Sequence, residues 1–285
     1  MNSKRNSLNL TRRDFLKTAA AGTAVLMAGS VVPLFAARKD IPIGVQLWSV
    51  RQAAAADLPG TLAGIKKIGY DGVEFGGSYF DKKAKELRKL LDDNGLQALG
   101  SHLQLKTFAD EAIEGTIEYS NVLGLKYLAV PMMWGVDTLD AWKKAADNFN
   151  AIAEKLKPHG MEIGFHNHTA EFEPIDGVVP LEFFFNETSK DVFMQLDIGH
   201  CIKVADPLYY LNKFPGRARS VHIKDWNPET KSNIPGEGDV KWPETIEACE
   251  TVAGTEVYII EEESGSFEGL EGIDKMLKGL KKFLV

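Results

Sequence analysis

The residues of this sequence best suited to chemistry are its histidines and a set of carboxylates that follow short apolar runs. Five of the six histidines stand at the ends of such runs, and only His159 lies elsewhere. Imidazole and carboxylate groups bind divalent metals such as Mn2+, Co2+, Zn2+ and Mg2+, and they also act as general acids and bases. The polar residues concerned are Glu74, His102, His166, His168, Asp197, His200, His222, Lys224, Glu261 and Glu263. Brought together by a fold, they predict one divalent-metal site with acid–base groups beside it.

The elements that must position these residues repeat from residue 41 onward as a strand-like apolar run, a polar loop and an amphipathic helix. The predicted strands are Ile43–Trp48, Gly72–Phe75, Ala98–Leu103, Tyr127–Met132, Glu162–His166, Val192–Asp197, Ala218–Ile223 and Val257–Glu261. The predicted helices lie near 58–68, 81–93, 110–123, 138–157, 180–188, 206–213, 242–252 and 269–282. Gly69, Gly95, Gly124 and Gly160 are expected to end helices, because glycine adopts positive φ at little cost.

Eight alternating strands and helices predict an α/β fold of the (β/α)8 class, a TIM barrel with eight parallel strands. Continuous apolar strands such as residues 127–130 suit a parallel sheet that is covered on both faces. The alternative is an open, doubly wound sheet, which usually carries a glycine-rich phosphate turn after its first strand. Residues 46–51 (Gln-Leu-Trp-Ser-Val-Arg) contain no such turn, so the closed barrel is favoured.

Active sites of such barrels form at the carboxyl ends of the strands, which is where the polar residues lie. Side chains alternate between the two faces of a strand, so His166 and His168 are predicted to share one face and Asn167 the other. Glu261 and Glu263 are likewise predicted to share one face. At least one glutamate of the run Glu261, Glu262 and Glu263 is expected to point into the mouth of the barrel, because the run directly follows an apolar strand.

The first 37 residues are predicted to be an export signal, and residues 38–285 a single catalytic barrel. A basic stretch ends in Thr11–Lys17 (Thr-Arg-Arg-Asp-Phe-Leu-Lys), and a weakly apolar run rich in small residues follows from 19 to 37. The paired arginines resemble the twin-arginine signal, which exports folded proteins, so a periplasmic location is expected. An uncleaved anchor helix is the alternative, but two glycines and a proline make the run a poor permanent span.

The net charge of the chain limits the classes of partner that it is expected to bind. Removing residues 1–37 lowers Lys+Arg from 33 to 28 and Asp+Glu from 40 to 39, so the net charge falls from −7 to −11. A nucleic-acid or anionic membrane surface requires clustered Lys and Arg, so neither is expected as a partner of the mature chain. The two cysteines, Cys201 and Cys249, are too few for a disulfide framework, and the sequence leaves open whether they are free or paired.

These motifs resemble those of the xylose isomerase-like TIM barrels in the sugar phosphate isomerase/epimerase superfamily, over about residues 41–283. Members include ketose 3-epimerases, inosose dehydratase and dehydroshikimate dehydratase. The resemblance is carried by residues 72–74 (Gly-Val-Glu), 165–168 (Phe-His-Asn-His), 196–200 (Leu-Asp-Ile-Gly-His), 221–225 (Val-His-Ile-Lys-Asp), 236–239 (Gly-Glu-Gly-Asp) and 260–261 (Ile-Glu). It implies one divalent metal held by residues from strands five to eight.

By this resemblance Asp197, His222 and Glu261 match the ligands of strands six, seven and eight. The strand-five ligand of many relatives is a glutamate, whereas the aligned position here is His166, with His168 as the alternative. The implied ligand set is therefore His166, Asp197, His222 and Glu261. In the epimerase mechanism of the family, glutamates of strands five and eight act as opposed bases. A histidine at the strand-five position weakens the transfer of that mechanism to this chain. Relatives with His-x-His in strand five include dehydratase-type enzymes.

Further roles, in catalysis and in substrate binding, are expected for the following residues. The candidate catalytic groups are His200, Glu261, Lys224 and His168, with His200 as the acid/base or a substrate contact. Lys224 either stabilises an oxyanion or forms an ion pair with Asp225 or Glu263. The candidate substrate-binding residues are Glu74, His102, Trp48, Trp134 and Glu171. The two tryptophans either stack on a sugar or pack at the rim of the barrel.

The chemistry that the resemblance implies is proton abstraction next to a metal-polarised carbonyl. Export favours an unphosphorylated sugar as the small-molecule substrate. The first hypothesis is an isomerase or epimerase of free keto sugars. The second is a lyase, dehydratase or hydratase acting on 3-keto-glycosides or related oxidised sugars. A sugar-binding barrel without catalysis and a DNA-repair enzyme are further alternatives, and the acidic charge argues against the last. The sequence does not decide whether the chain forms a homo-oligomer.

Overall fold

The computed structural model describes residues 40–264 and 269–284, and the predicted export segment lies outside them. Eight parallel strands close into a barrel, in which each strand pairs with its neighbours in sequence and β8 pairs with β1. The strands are β1 Ile43–Gln46, β2 Gly72–Gly76, β3 Gln97–His102, β4 Tyr127–Val130, β5 Glu162–His166, β6 Phe193–Asp197, β7 Ser220–Ile223 and β8 Val257–Ile260. The predicted TIM barrel is confirmed.

A helix follows every strand. The main helices are α1 Leu58–Ile68, α2 Ala84–Asn94, α3 Ile113–Leu123, α4 Leu139–Leu156, α5 Pro180–Glu187, α6 Pro207–Lys213, α7 Trp242–Ala248 and α8 Gly269–Lys281. Shorter helical segments lie at Leu47–Val50, Arg51–Ala56, Leu105–Phe108, Lys157–His159, Ala170–Phe172, Ile198–Cys201 and Cys249–Ala253. In α4 the buried residues Trp142, Ala145, Phe149 and Ile152 recur every three or four positions, which is the spacing of a helix that packs one face on a core.

The ends of the helices follow from local residues. Gly69, Gly95, Gly124 and Gly160 end helical segments with φ of 109°, 61°, 74° and 69°, so these four predictions are confirmed. At the start of α1 the Asp57 side chain accepts the backbone N–H of the third helical residue, which satisfies a donor that the helix itself leaves free.

Five strands, β1, β4, β6, β7 and β8, are shorter than predicted by one or two residues, and local residues explain two of these differences. β1 ends at Gln46, because residues 47–50 form a turn in which the Gln46 side chain accepts a backbone N–H. β4 ends at Val130, since the next residue is Pro131 and has no N–H to donate to a ladder. No described helix is both long and apolar enough to cross a membrane.

The two cysteines are packing residues. Cys201 lies in the short helix after β6, and Cys249 begins the wide turn after α7. Both are buried and free, so the pairing left open by the sequence does not occur. Burial raises the pKa of both thiols, which keeps them neutral and unreactive.

The inside of the barrel has an apolar floor and a polar layer above it. The floor is formed by Leu99, Tyr127, Ala129, Phe193, Val257 and Ile259. Gly164 makes room for it, because a Cβ at this position would lie 2.5 Å from the Phe193 ring. Towards the carboxyl ends of the strands the buried residues become polar, and this polar layer consists of Gln46, Glu74, His102, His166, Gln195 and His222.

Candidate active site

The structure brings together the four side chains that the family resemblance implies as metal ligands. His166 and Asp197 end β5 and β6, His222 lies in β7, and Glu261 directly follows β8. One possible ligand atom from each residue lies within 4.8 Å of the others, and all four residues are buried. Two imidazoles and two carboxylates at one point form a donor set that fits a divalent cation. We call these residues the four-ligand cluster.

Glu74 determines which nitrogen of His222 faces this cluster. Glu74 Oε2 lies 2.7 Å from His222 Nε2, so Nε2–H donates to it. The other nitrogen, Nδ1, then faces Glu261 Oε2 at 3.1 Å and Asp197 Oδ2 at 3.7 Å. A carboxylate behind the imidazole is the usual support of a metal-binding histidine. Although burial opposes the charged form, Glu74 and Glu261 raise the pKa of His222 to about 10.

Gln195 determines the orientation of His166 in the same way. Its Nε2 donates to Glu74 Oε1 at 2.7 Å, and because a carboxylate only accepts, the amide has one orientation. Gln195 Oε1 therefore accepts from His102 Nε2 at 2.6 Å and from His166 Nδ1 at 3.1 Å. The lone pair of His166 Nε2 is left for the cluster. Burial and the neighbouring imidazoles keep the pKa of His166 well below its usual value, so this imidazole is neutral.

The ammonium of Lys224 lies among three carboxylates. Its Nζ is 2.9 Å from Asp197 Oδ2, 2.9 Å from Glu261 Oε2 and 2.7 Å from Glu263 Oε1. Burial favours the neutral amine, but the three negative charges outweigh it and raise the pKa of Lys224. Of the two ion pairs considered from the sequence, the one with Glu263 is formed. Lys224 would share Asp197 and Glu261 with a bound cation.

Asp225, the other residue considered, holds the loop that follows β7. Its carboxylate accepts the backbone N–H groups of Trp226, Gly236 and Val240 at 2.9, 2.9 and 3.1 Å. It also accepts the indole N–H of Trp242 at 2.8 Å. With four donors around it, Asp225 positions this loop over the barrel. The glycine-rich motif that begins at Gly236 therefore shapes the loop.

Two further imidazoles, His168 and His200, stand at the rim of the cluster with ring centres 4.9 Å apart. His200 Nε2 lies 2.9 Å from Glu263 Oε1, but neither ring nitrogen of His200 makes an aligned hydrogen bond to any residue that the structure describes. Burial and the nearby charge of His200 lower the pKa of His168. Two imidazoles are thus available for proton transfer on one side of the cluster.

Strand alternation predicted the facing of this region. The His166 and His168 rings lie 5.1 Å apart on the same face. Asn167 points the other way, where its Oδ1 accepts the backbone N–H of Asp197 at 2.9 Å. Glu171, expected to contact substrate, accepts the backbone N–H of His168 at 2.7 Å. It therefore holds the segment that carries His168.

Glu74 and His102, expected to line the substrate pocket, lie deeper. Both belong to the buried polar layer, where Glu74 is 0% and His102 7% exposed. Their partner Gln195 was missed by the sequence analysis, although it stands two residues before Asp197 and so shares its face of β6. The sequence held no signal for Gln46, whose Nε2 donates to Glu74 at 2.8 Å.

The two tryptophans expected near the substrate are on the surface. Trp48 is 49% and Trp134 85% exposed. The guanidinium of Arg51 covers the Trp48 ring at 4.5 Å. Both residues follow strands at the carboxyl end of the barrel, so each stands at its rim.

Glu74→Gln is expected to destabilise the fold. The change places an amide N–H2 where a carboxylate oxygen accepts hydrogen bonds from Gln46, Gln195 or His222, so two donors face each other in a buried place. We expect the free energy of unfolding of the metal-free protein to fall by about 3 kcal/mol, as for a broken buried ion pair. Urea unfolding measures it. The exposed Glu118→Gln in α3 is the control, with a change below about 0.5 kcal/mol. Equal stability of the two variants would show that Glu74 does not hold the polar layer together.

Comparison with known families agrees with this geometry. The model of the xylose isomerase-like TIM barrel family matches residues 62–283, most of the chain. The chain belongs to this family. The model of the twin-arginine translocation pathway signal sequence matches residues 9–29, within the segment predicted as an export signal. The chain therefore carries a signal for export, and both resemblances proposed from the sequence are confirmed.

The relatives are distant. Inosose dehydratase of Clostridium beijerinckii is 26% identical over 180 residues, which cover 55% of this chain and 59% of that protein. Inosose dehydratase 2 of Bacillus cereus is 27% identical over 136 residues, which cover 45% of this chain and 43% of that protein. The matched stretch is thus less than two thirds of either relative.

Solved structures share the fold. A sugar phosphate isomerase/epimerase from Parabacteroides distasonis has a TM-score of 0.75 at 24% identity, covering 85% of this chain and 96% of that chain. A 3-keto-D-glucoside 4-epimerase from E. coli has a TM-score of 0.63 at 18% identity, covering 85% and 99%. At these identities the likeness shows the architecture and not the reaction.

Proposed function

We propose that this chain is an exported, metal-dependent carbon–oxygen lyase. It removes the proton next to the carbonyl of an unphosphorylated keto sugar or keto-cyclitol and expels the oxygen on the following carbon. The observation that carries this proposal is the four-ligand cluster with the two imidazoles of His168 and His200 beside it. The names of the relatives, inosose dehydratases, support elimination.

The proposed ligands are His166, Asp197, His222 and Glu261. A divalent cation bound there would polarise the carbonyl and an adjacent hydroxyl of the substrate. The chain supplies the orientation, since Glu74 and Gln195 turn His222 Nδ1 and His166 Nε2 towards the cluster. A cation bound at His222 Nδ1 would displace the proton that this atom shares with Glu261. Asp197 Oδ2 supports the assignment, because it is buried and faces His166 Nε2 at 3.9 Å and His222 Nδ1 at 3.7 Å.

In this mechanism His200 carries out both proton transfers. Its imidazole accepts the proton from the carbon next to the carbonyl, and the electron pair of that C–H bond moves towards the carbonyl oxygen to give an enolate. When the enolate collapses, the electrons return to form the new C=C bond to the following carbon. The C–O bond on the following carbon breaks, and the imidazolium returns its proton to the departing oxygen, so that water or an alcohol leaves. Lys224 stabilises negative charge on the enolate oxygen. His168, which lies beside His200, forms a hydrogen bond with a hydroxyl of the substrate.

Elimination is favoured over epimerisation by the residue at strand five. Epimerisation inverts a carbon and needs a base on each face of it, a role that strand five fills with a glutamate in many members of the family. Here the position is His166, whose Nδ1 is bound to Gln195 and whose Nε2 faces the cluster. The second candidate remains an isomerase or epimerase of keto sugars, which the activity of one structural neighbour, the 3-keto-D-glucoside 4-epimerase, supports.

Product analysis separates the two reactions. We expect the mature chain, incubated with inosose or a 3-keto-glucoside and Mn2+ or Co2+, to release water or the aglycone, which mass spectrometry detects. Treatment with a chelator should abolish turnover, and added metal should restore it. A product of unchanged mass and altered configuration would establish the epimerase instead. Turnover that survives complete metal removal would refute metal dependence.

A further inference from the structure

A cavity of about 290 Å3 opens beside the candidate active site, next to the loop that follows β7. Lys224 and Glu263 line it, and Lys224 also contacts Asp197 and Glu261 of the four-ligand cluster, so the cavity adjoins the cluster. The rest of the wall includes Lys203, Trp226, Lys231 and Asn233. The mechanism proposed above uses none of these four residues.

Two ammonium groups in this cavity have no carboxylate partner. Lys203 Nζ lies 4.3 Å and Lys231 Nζ 5.3 Å from the centre of the Trp226 ring. Lys231 Nζ also donates to the backbone carbonyl of Pro228 at 2.6 Å. Neither lysine forms an ion pair within residues 40–264 and 269–284. Both ammonium groups are therefore within range of a cation–π contact with the same ring.

The carboxylates nearby are already engaged. Asp225 accepts four hydrogen bonds from the loop after β7 and its helix. Glu263 is paired with Lys224 at 2.7 Å and lies 2.9 Å from His200. No carboxylate of the cavity wall forms an ion pair with Lys203 or Lys231, so both ammonium groups can attract an anion to the cavity.

The Asn233 side chain points to the same conclusion. It is 3% exposed, and neither its Nδ2 nor its Oδ1 has a hydrogen-bond partner among the described residues. Buried amide groups without partners are rare in native proteins, and a missing ligand is one explanation of them. An amide offers a donor and an acceptor at neighbouring points. This pair matches a carboxylate that stands next to a hydroxyl.

We propose that this cavity is a subsite for a carboxylate of the substrate, so that the enzyme acts on a keto sugar that carries an acid group. The proposal rests on the function proposed above, which places the reacting carbonyl at the four-ligand cluster. Lys203 and Lys231 donate charge-assisted hydrogen bonds to the carboxylate. Asn233 donates to the carboxylate and accepts from the neighbouring hydroxyl. The substrate class is thus an oxidised sugar acid or a glycoside of one.

Binding of D-glucuronate and D-glucose, which differ in one carboxylate, tests the proposal on the mature chain by calorimetry. We expect glucuronate to bind at least about tenfold more tightly, the gain of one charge-assisted contact. The double variant Lys203→Met, Lys231→Met should lose this preference. Asn233→Leu should weaken glucuronate binding about tenfold. Lys241→Met removes an exposed lysine just before α7 and should keep the preference.

Equal binding of the two sugars, or a preference that survives in the double variant, would overturn the subsite. Because both lysines are exposed, the double variant gives a decisive result even if Asn233→Leu fails to fold. Glucose 6-phosphate is the third probe. If it binds as tightly as glucuronate and loses as much in the double variant, the cavity takes a phosphate and the carboxylate proposal is wrong.

Failure of the carboxylate subsite and failure of the proposed function give different experimental results. Conversion of neutral keto-glucosides without any preference for acidic ones would overturn the subsite and leave the function standing. A lysine-dependent preference for glucuronate in a chain that converts no keto sugar would support the subsite and overturn the function.

Discussion

Asp197→Asn is expected to remove the divalent metal from the protein and to abolish its activity. The change keeps an oxygen for the backbone N–H of His200, which Asp197 Oδ1 accepts at 2.6 Å, so the turn after β6 keeps its cap. It can place an N–H2 group where Oδ2 faces His166 and His222, and such a group cannot bind a cation. Changes behind a ligand already cost about 10–100-fold in metal affinity. We therefore expect the loss of the ligand itself to exceed about 100-fold.

Metal content after dialysis, measured by plasma mass spectrometry, and titration with Mn2+, Co2+ and Zn2+ report this loss without any activity assay. Asp239→Asn, which changes an exposed carboxylate in the loop after β7, is the matched control and should keep full metal content. A wild-type metal content in Asp197→Asn would show that the ligand set is wrong. A wild-type protein that binds no divalent ion would refute the metal site as a whole.

His200→Gln is expected to lower kcat by about 100- to 10,000-fold, the usual contribution of a general acid–base group. Glutamine is similar in reach and polar, but it neither accepts nor returns a proton near neutral pH. The backbone N–H of residue 200 still donates to Asp197 Oδ1, and the side chain lies outside the four-ligand cluster. Metal content and affinity should therefore stay within about threefold of wild type.

Steady-state kinetics on the substrate that the product screen identifies measures kcat and KM separately. His159→Gln is the control, because His159 is exposed and follows α4, away from the carboxyl ends of the strands. A fall in kcat below about tenfold would remove His200 from proton transfer and move the role to His168 or Lys224. Loss of the metal in this variant would make His200 a ligand.

The fold was predictable in detail because its signals are local. Apolar runs, helical spacing and helix-ending glycines recur along the barrel, and α1 was predicted with both of its ends. Two strand ends differ from their predicted positions because a neighbour along the chain changes the backbone. β1 stops at Gln46 because the Gln46 side chain accepts a backbone N–H in the following turn. β4 stops before Pro131, a boundary that the proline made available in advance.

The site was predictable in its residue types and incompletely in its roles. The resemblance named the four residues that converge in the structure. The sequence did not indicate that Glu74 supports His222 from below, or that Glu171 holds the backbone of His168. Gln195 was missed because a single glutamine in an apolar strand carries no distinctive pattern. The cavity beside Asn233 was missed for a different reason, since its wall is assembled from segments that are separate in the sequence.

By itself, the sequence determined the barrel, the export signal and the supply of imidazoles and carboxylates at the strand ends, because periodicity, motif and strand position are readable along the chain. Only the tertiary structure decided how these groups are oriented. Glu74 meets Gln195 and His222, which lie 121 and 148 positions further along the chain. Such contacts depend on closure of the barrel and on the direction of each side chain within it. The orientation of each imidazole and the burial of Lys224 among three carboxylates are therefore properties of the closed barrel.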